Sequence, residues 1–426
     1  MGMGLKVSVS GVRGVFPDEL TLEDVMHFTR AFSSMIGEGC ALAMDTRVSG
    51  RIIAGMVSAV LREQGVDVYN LGVAPTPVLM RESREDKVGA GIMVSASHNP
   101  LDWNGLKFAL HGRGMPADRL PSDHCSRRSR GRNVIGEEHE HASAYVDDLL
   151  AFLPLDIHGA DRIAVDTAQG SSRRYILEIL TRLGFSAVML DGDSPDPTGS
   201  DLAHLRSALA DGCRLGIALD MDGDRAVMLT GARSIYKPDD TLLICIAGAV
   251  KMGCRSVAVS IDTSNAVRDL ARAMNCTMHY SKVGEANVVD TMLSNGCHAG
   301  GEGSSAGFIM AGFNLCRDGL LASAIALSML DELDWVMEYS GRYHVRRGKV
   351  YSDRGMHDRL VDELIGTHEY SEVISIDGIK LIVDEGTWVL VRASNTEPVV
   401  RLSVESYTRE RCDALYRRYE AMIRGG

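Results

Sequence analysis

Three aspartates at alternate positions, Asp220, Asp222 and Asp224, are the densest concentration of potential chemistry in this 426-residue chain. They sit in Asp220-Met221-Asp222-Gly223-Asp224-Arg225, directly after the apolar run 215–219. Like charges so close repel one another unless a cation or strong donors offset them. Three carboxylates can converge on one hard divalent ion, and oxygen-only ligands favour Mg²⁺ over Zn²⁺. The loop is not an EF-hand: counting from Asp220, the sixth position is Arg225 rather than Gly and the twelfth is Gly231 rather than Glu. A solvated acidic turn is the plainer alternative.

Three further segments could carry chemistry. Ser95-Ala96-Ser97-His98-Asn99-Pro100 follows the apolar run 89–94, so a small-residue turn after a strand would expose the Ser97 hydroxyl. His98 is a neighbouring proton acceptor, and Lys107 in Trp103-Asn104-Gly105-Leu106-Lys107 adds positive charge for a phosphate. The glycine-rich stretch 300–307 lets backbone approach a ligand, with Glu302 and Ser304 able to bond sugar hydroxyls. Arg392-Ala393-Ser394-Asn395-Thr396-Glu397-Pro398 combines an arginine fork with hydroxyls, an amide and backbone N–H groups, a cradle for a phosphate dianion. Each alone has an ordinary structural explanation: an N-cap, a flexible turn, a capped turn with a surface ion pair.

The elements that must hold these segments read as α/β. Apolar runs at 40–45, 162–166, 215–220 and 256–262 look like buried strands, and 21–39, 171–184 and 264–276 look like amphipathic helices. The alternation implies mostly parallel sheets. Three strands end in Asp-Thr before a helix, at Asp45, Asp166 and Asp262. The local reading is that these residues cap the following helices; their recurrence every ~100–120 residues suggests one α/β unit repeated. Residues 370–394 hold two strand-like runs around Asp377-Gly378, and a helical pattern closes the chain, so a separate α+β domain is expected there. The Pro-, Gly- and Ser-containing stretch 109–143 reads as a surface loop, and its basic run at 127–130 as a solvated face.

Composition narrows the class. Cores stop growing at about 250–300 residues, so this length implies several domains. A net charge of −12 argues against a general nucleic-acid binder but permits local phosphate binding. Nine scattered cysteines without a C-x-x-C pair fit a reducing cytoplasm, and the sequence contains no signal pattern and no run long enough to span a bilayer. No heptad or exposed apolar stripe marks an oligomer, leaving monomer or homodimer.

Taken in order, the four motifs resemble those of the α-D-phosphohexomutase family across nearly the whole chain. The opening Ser8–Gly14 looks like the family's first motif with its phosphate-facing arginine, Arg13. The resemblance implies three similar mixed-sheet α/β domains (1–154, 155–252 and 253–346) and a C-terminal α+β domain (347–426) around a central active-site cleft. It implies Ser97 as phosphoserine, and Mg²⁺ held by Asp220, Asp222 and Asp224 with Ser97. Arg13, Lys107 and Arg225 would supply positive charge, with His98 or Lys107 as general base. Glu302 and Ser304 would recognise sugar, and Arg392, Ser394, Asn395 and Thr396 the substrate's own phosphate. The implied reaction interconverts hexose 1-phosphate and hexose 6-phosphate through a hexose 1,6-bisphosphate, which also serves as activator.

The chain departs from the pattern at Met221, where the metal loop usually has Gly, and at Ser305-Ala306-Gly307, where many members place a His after the loop serine. That glycine-rich variant is closer to a bacterial and archaeal branch assigned to glucosamine phosphate. Asn395 is shared with members assigned to mannose and glucose phosphates. Two other readings compete. A phosphatase with an Asp-x-Asp nucleophile needs a small Thr or Val where Asp224 stands. A non-catalytic sugar-phosphate sensor would need only the cleft.

Overall fold

The computed structural model describes the chain except residues 1–3, 9, 122–133, 155–156, 158, 193, 232–235, 352–357, 368, 395–398 and 426. The expected phosphate-loop residues Asn395 and Thr396, and the basic run at 127–130, lie outside the described residues. The chain forms two compact units: Met1–Lys237 with Ala306–Leu330, and Pro238–Ser305 with Asp331–Gly426.

In the first unit, an eight-stranded mixed sheet is built around strand Gly39–Met44, paired in parallel with Asp67–Val73 and Ala90–Val94. Trp103–Leu110 pairs antiparallel with Ala90–Val94, and Gly11–Val15 antiparallel with Trp103–Leu110. Val12, Phe32, Leu42, Ile92 and Phe108 are buried in one core. Helix Leu22–Ser33 starts at Thr21, which forms a reciprocal capping box with Asp24. In a second sheet, Ser186–Leu190, Arg162–Asp166 and Leu215–Leu219 are parallel, and Ala226–Thr230 returns antiparallel beside Leu215–Leu219.

Both chemistry-bearing loops of this unit therefore join antiparallel neighbours. Residues 95–102 connect Ala90–Val94 to Trp103–Leu110, and residues 220–225 connect Leu215–Leu219 to Ala226–Thr230. The expected parallel character holds around Gly39–Met44 and Arg162–Asp166, and gives way to antiparallel pairing at these two connections and along Gly11–Val15. A strand buried on both faces has the same apolar composition in either direction, so the hairpins leave no mark in the hydrophobic pattern.

Two other expectations are corrected. The Asp-Thr pairs do not cap helices, since the following helices begin at Gly50, Arg173 and Asn265. Asp45 instead binds Arg47 and Ser95, Asp166 binds the N–H groups of Ala168 and Gly192, and Asp262 accepts from the hydroxyls of Ser260 and Ser304. The stretch 109–143 is also not one loop: it contains the end of Trp103–Leu110 and the strands Arg113–Met115 and Glu138–Glu140.

In the second unit, Ser256–Ser260 pairs in parallel with Thr277–Ser281 and Ala299–Glu302. The C-terminal part is an antiparallel five-stranded sheet in the order His344–Tyr351, Val399–Ser406, Thr387–Ala393, Ile379–Asp384, Glu372–Ile374. Helix Arg409–Arg424 packs on it through Cys412, Tyr416, Tyr419 and Ile423, matching the α+β expectation. Among the described residues, no helix is long and apolar enough to cross a membrane.

Candidate active site

Ser97 is buried and adopts a left-handed backbone conformation, φ +52°, uncommon for a residue with a side chain. Its N–H donates to Ser95 Oγ at 2.8 Å, and the Ser95 hydroxyl donates to Asp45 at 2.6 Å. The Ser97 hydroxyl donates to Asp220 Oδ2 at 3.0 Å, and His98 Nδ1 lies 3.5 Å from Ser97 Oγ. The structure thus brings together the nucleophile candidate and the acidic loop, which the sequence separates by 123 positions.

The acidic loop is held tightly. Gly223, at φ +68°, has no room for a Cβ, which would meet Ser172 Oγ at 2.1 Å. The Asp222 carbonyl accepts from the Thr76 N–H at 2.8 Å, and the Thr76 hydroxyl donates to Asp222 Oδ2 at 2.6 Å. Ligand atoms of Asp220, Asp222 and Asp224, all buried, lie within 4.8 Å of one another.

Cations surround these carboxylates. The Lys107 ammonium donates to Asp222 and, at 3.1 Å, to Asp224. Arg317 donates to Asp224 at 2.8 Å. The Arg225 N–H donates to Asp220 at 3.1 Å, and its guanidinium lies 3.7 Å from Asp224. Arg13 donates to the Asn99 side chain at 3.5 Å and sits in the field of Asp222 and Asp224.

The electrostatics follow from burial and neighbours. Burial works against the Lys107 charge, but Asp222 and Asp224 outweigh it and raise its pKa, so it stays an ammonium. Burial disfavours ionised Asp224, yet Arg317, Lys107 and Arg225 hold it well below the usual carboxylate range. Asp220 goes the other way: burial, then Asp224 and Asp222, push it well above that range. Burial, with Arg225 and Arg13 nearby, pushes the His98 imidazole down to about 3.

The donor set fits a hard divalent cation. Asp222 Oδ1 and Asp224 Oδ1 are buried without a hydrogen-bond partner, and the high pKa of Asp220 marks a position that favours a bound positive charge. Nearby, Arg13 Nε and Arg225 Nε are buried donors with no acceptor. Orphaned acceptors beside orphaned donors suit a cation together with an oxyanion.

The remaining candidates lie in the second unit. Glu302 is buried and accepts from the Gly284 N–H at 2.7 Å, and the Ser304 hydroxyl donates to Asp262 at 2.7 Å. Arg392 lies 3.5 Å from Asp377 across the Gly378 turn, and the Ser394 N–H donates to the Val399 carbonyl at 3.0 Å. Sequence reasoning missed Arg47, Thr76 and Arg317. Arg47 directly follows the Asp45-Thr46 pair, and Thr76-Pro77 opens helix Thr76–Glu82 after a strand; Arg317 carries no local signal.

A buried hydroxyl beside a triple carboxylate and a surplus of guanidinium donors suits phosphoryl transfer. Known proteins agree with that class. Residues 4–121 match the phosphoglucomutase/phosphomannomutase alpha/beta/alpha domain I, residues 237–340 its domain III and residues 353–419 its C-terminal domain. The chain belongs to this family of α-D-phosphohexomutases. It is 30% identical to a probable phosphoglucosamine mutase of Methanopyrus kandleri, covering 99% of this chain and 98% of the relative. It is 29% identical to a phosphoglucomutase/phosphomannomutase of Thermococcus kodakarensis, covering 96% of each. A crystal structure of a family protein from Burkholderia thailandensis shares the fold, with a TM-score of 0.82 at 24% identity over 99% of both chains.

Proposed function

We propose that the chain carries a phosphoryl group on Ser97 and uses it to interconvert the 1- and 6-phosphates of an aminohexose, glucosamine phosphate, through a hexose 1,6-bisphosphate. The observation that carries this reading is the Ser97 hydroxyl 3.0 Å from Asp220, within a triple-carboxylate loop ringed by Lys107, Arg225 and Arg317.

Asp220, Asp222 and Asp224 would hold Mg²⁺, with an oxygen on Ser97 completing the set; when bound, the ion offsets charge on the transferring phosphoryl group. Arg13 and Arg225 turn their unused Nε–H groups to phosphoryl oxygens. Lys107 acts as a fixed cation, because two carboxylates already engage its ammonium. His98, whose pKa burial pushes down to about 3, is then the one of the two candidate bases that is unprotonated at neutral pH and able to accept the substrate hydroxyl proton. That hydroxyl attacks phosphoserine 97, giving the bisphosphate; after the sugar reverses, the other phosphate returns to Ser97. Glu302 and Ser304 are read as sugar-recognising groups, and Arg392, Ser394, Asn395 and Thr396 as a phosphate loop, on their motifs alone.

Glucosamine is favoured by the glycine-rich sugar loop and by the name of the Methanopyrus relative; the Thermococcus relative keeps mannose and glucose phosphates as the second reading. The eight described cysteines, all free and buried, suit a cytoplasmic enzyme. ³¹P NMR with Mg²⁺, a trace of hexose 1,6-bisphosphate and separate glucosamine, mannose and glucose 1-phosphates tests the proposal. The fastest conversion to a 6-phosphate is expected with glucosamine. Faster conversion of mannose or glucose phosphate moves the substrate to the second reading, and phosphate binding without conversion of any favours the sensor.

A further inference from the structure

We propose that Arg47 is the positioning residue of the Ser97 loop, holding the nucleophile in its reactive geometry without touching substrate; this rests on the reading of Ser97 as the phosphoryl acceptor. The Arg47 and Asp45 side chains are completely buried and paired, Nε to Oδ2 at 3.0 Å. A buried ion pair is costly unless every remaining donor and acceptor is satisfied, and here the satisfaction comes from one loop. Arg47 Nη2 donates to the carbonyls of Ser97 at 2.6 Å and Asn99 at 2.7 Å. Nη1 donates to the carbonyl of Trp103 at 3.0 Å and to that of Pro100.

One planar guanidinium thus gathers four carbonyls from residues 97–103. Asp45 extends the clamp through Ser95, whose hydroxyl bridges the Asp45 carboxylate and the Ser97 N–H. Ser97 is therefore fixed on both sides of its peptide, by its N–H and by its own carbonyl. That double hold keeps it at φ +52° with Oγ toward Asp220. The frame itself is rigid, because the Asp45 N–H donates to the Val94 carbonyl at 3.0 Å, tying the clamp to the strand that leads into the loop. A lysine keeps the charge but has no planar fork to span four carbonyls. Since phosphoryl transfer depends on alignment, a shift of about 1 Å in Ser97 lowers turnover by ~10²-fold.

The test compares full-length Arg47→Lys with the parent by thermal unfolding, by kcat and KM for the hexose 1-phosphate, and by the rate of Ser97 phosphorylation from hexose 1,6-bisphosphate with Mg²⁺, read by peptide mass. A folded variant with KM within about threefold, kcat lowered ~10²-fold and Ser97 loading slowed in parallel is expected. A merely structural role would lower both readouts only by the fraction unfolded. If Arg47→Lys does not fold, Asp45→Asn replaces it: this variant keeps the shape and loosens the guanidinium, and kcat should fall about tenfold at unchanged KM. A folded variant of either kind with parental kcat and loading overturns the proposal. Phosphate found on a residue other than Ser97 in the parent removes the phosphoserine reading itself, a result separable from a parent loaded on Ser97 beside an unimpaired Arg47→Lys enzyme.

Discussion

The Ser97 hydroxyl and the Asp220 carboxylate lie 3.0 Å apart although 123 positions separate them in the chain. Each stands in a short connection between antiparallel strands of a different sheet. One hydrogen bond therefore joins the loop of the proposed phosphoserine to the loop that can hold a cation. On the function proposed for this site, the hydroxyl that carries the phosphoryl group and the loop that offsets its charge are neighbours before any substrate arrives.

Lys107 is the cation most deeply committed to this arrangement, shared between Asp222 and Asp224. Lys107→Met should reduce kcat by about 10²–10³-fold, the usual effect of removing one preorganised charge partner at a reacting centre. It should also lower the thermal midpoint, because two buried carboxylates lose a partner. Steady-state kinetics on the folded variant decides the matter; a kcat within threefold of the parent would remove Lys107 from the machinery.

Metal dependence can be tested on the same loop. Chelation should stop turnover and Mg²⁺ should restore it. Asp220→Asn keeps the shape but removes a ligand charge, so the Mg²⁺ concentration for half-maximal activity should rise at least ~10-fold. An activity curve against Mg²⁺ that overlays the parent's would show that Asp220 does not hold the ion.

Much of this site is legible in local sequence and the rest is not, for a physical reason. The 220–222–224 alternation and the Ser97 turn are short-range patterns, and both fall in loops that the strand runs announce. Arg317 reaches Asp224 from 93 positions away, and Thr76 reaches Asp222 from 146; no spacing along the chain encodes such pairs. Asp45 shows how a correct observation acquires the wrong cause. Its recurrence with Asp166 and Asp262 is real, but helix capping explains none of the three. What Asp45 holds is Arg47 and the Ser97 loop.

Arg392 tests the phosphate-loop assignment. Among the described residues its guanidinium faces the largely buried Asp377 carboxylate at 3.5 Å, so Arg392→Ala should lower the thermal midpoint by leaving that carboxylate without this partner. If the residue holds the substrate's own phosphate, losing one charge-assisted pair costs ~1.5–3 kcal/mol, seen as a KM increase of about 10- to 100-fold. Unchanged KM and kcat would assign that loop to structure alone.

Lys380 makes a pH-dependent prediction for the second unit. Its side chain is fully buried, with Nζ 2.7 Å from the Ile261 carbonyl and over the rings of Tyr280 and Trp388. Burial pushes its ammonium from 10.5 down to about 8, against the opposing pull of Glu405 and Asp262. Between those values the unfolded chain binds more protons than the folded one, so the contribution of Lys380 to stability rises with pH there. The slope is at most ~1.4 kcal/mol per pH unit. In urea titrations the stability difference between parent and Lys380→Met should shift toward the parent from pH 8 to pH 10; a constant difference would contradict a buried, titrating ammonium.

The most direct test of the central claim is where phosphate resides on the enzyme. The protein is incubated with Mg²⁺ and hexose 1,6-bisphosphate, digested, and mapped by mass spectrometry, alongside a Ser97→Ala variant assayed for turnover. The account requires one phosphate on the peptide containing Ser97 and loss of turnover in a variant that remains folded. Phosphate on an aspartate of the 220–224 loop, or near-normal turnover without the Ser97 hydroxyl, would contradict it.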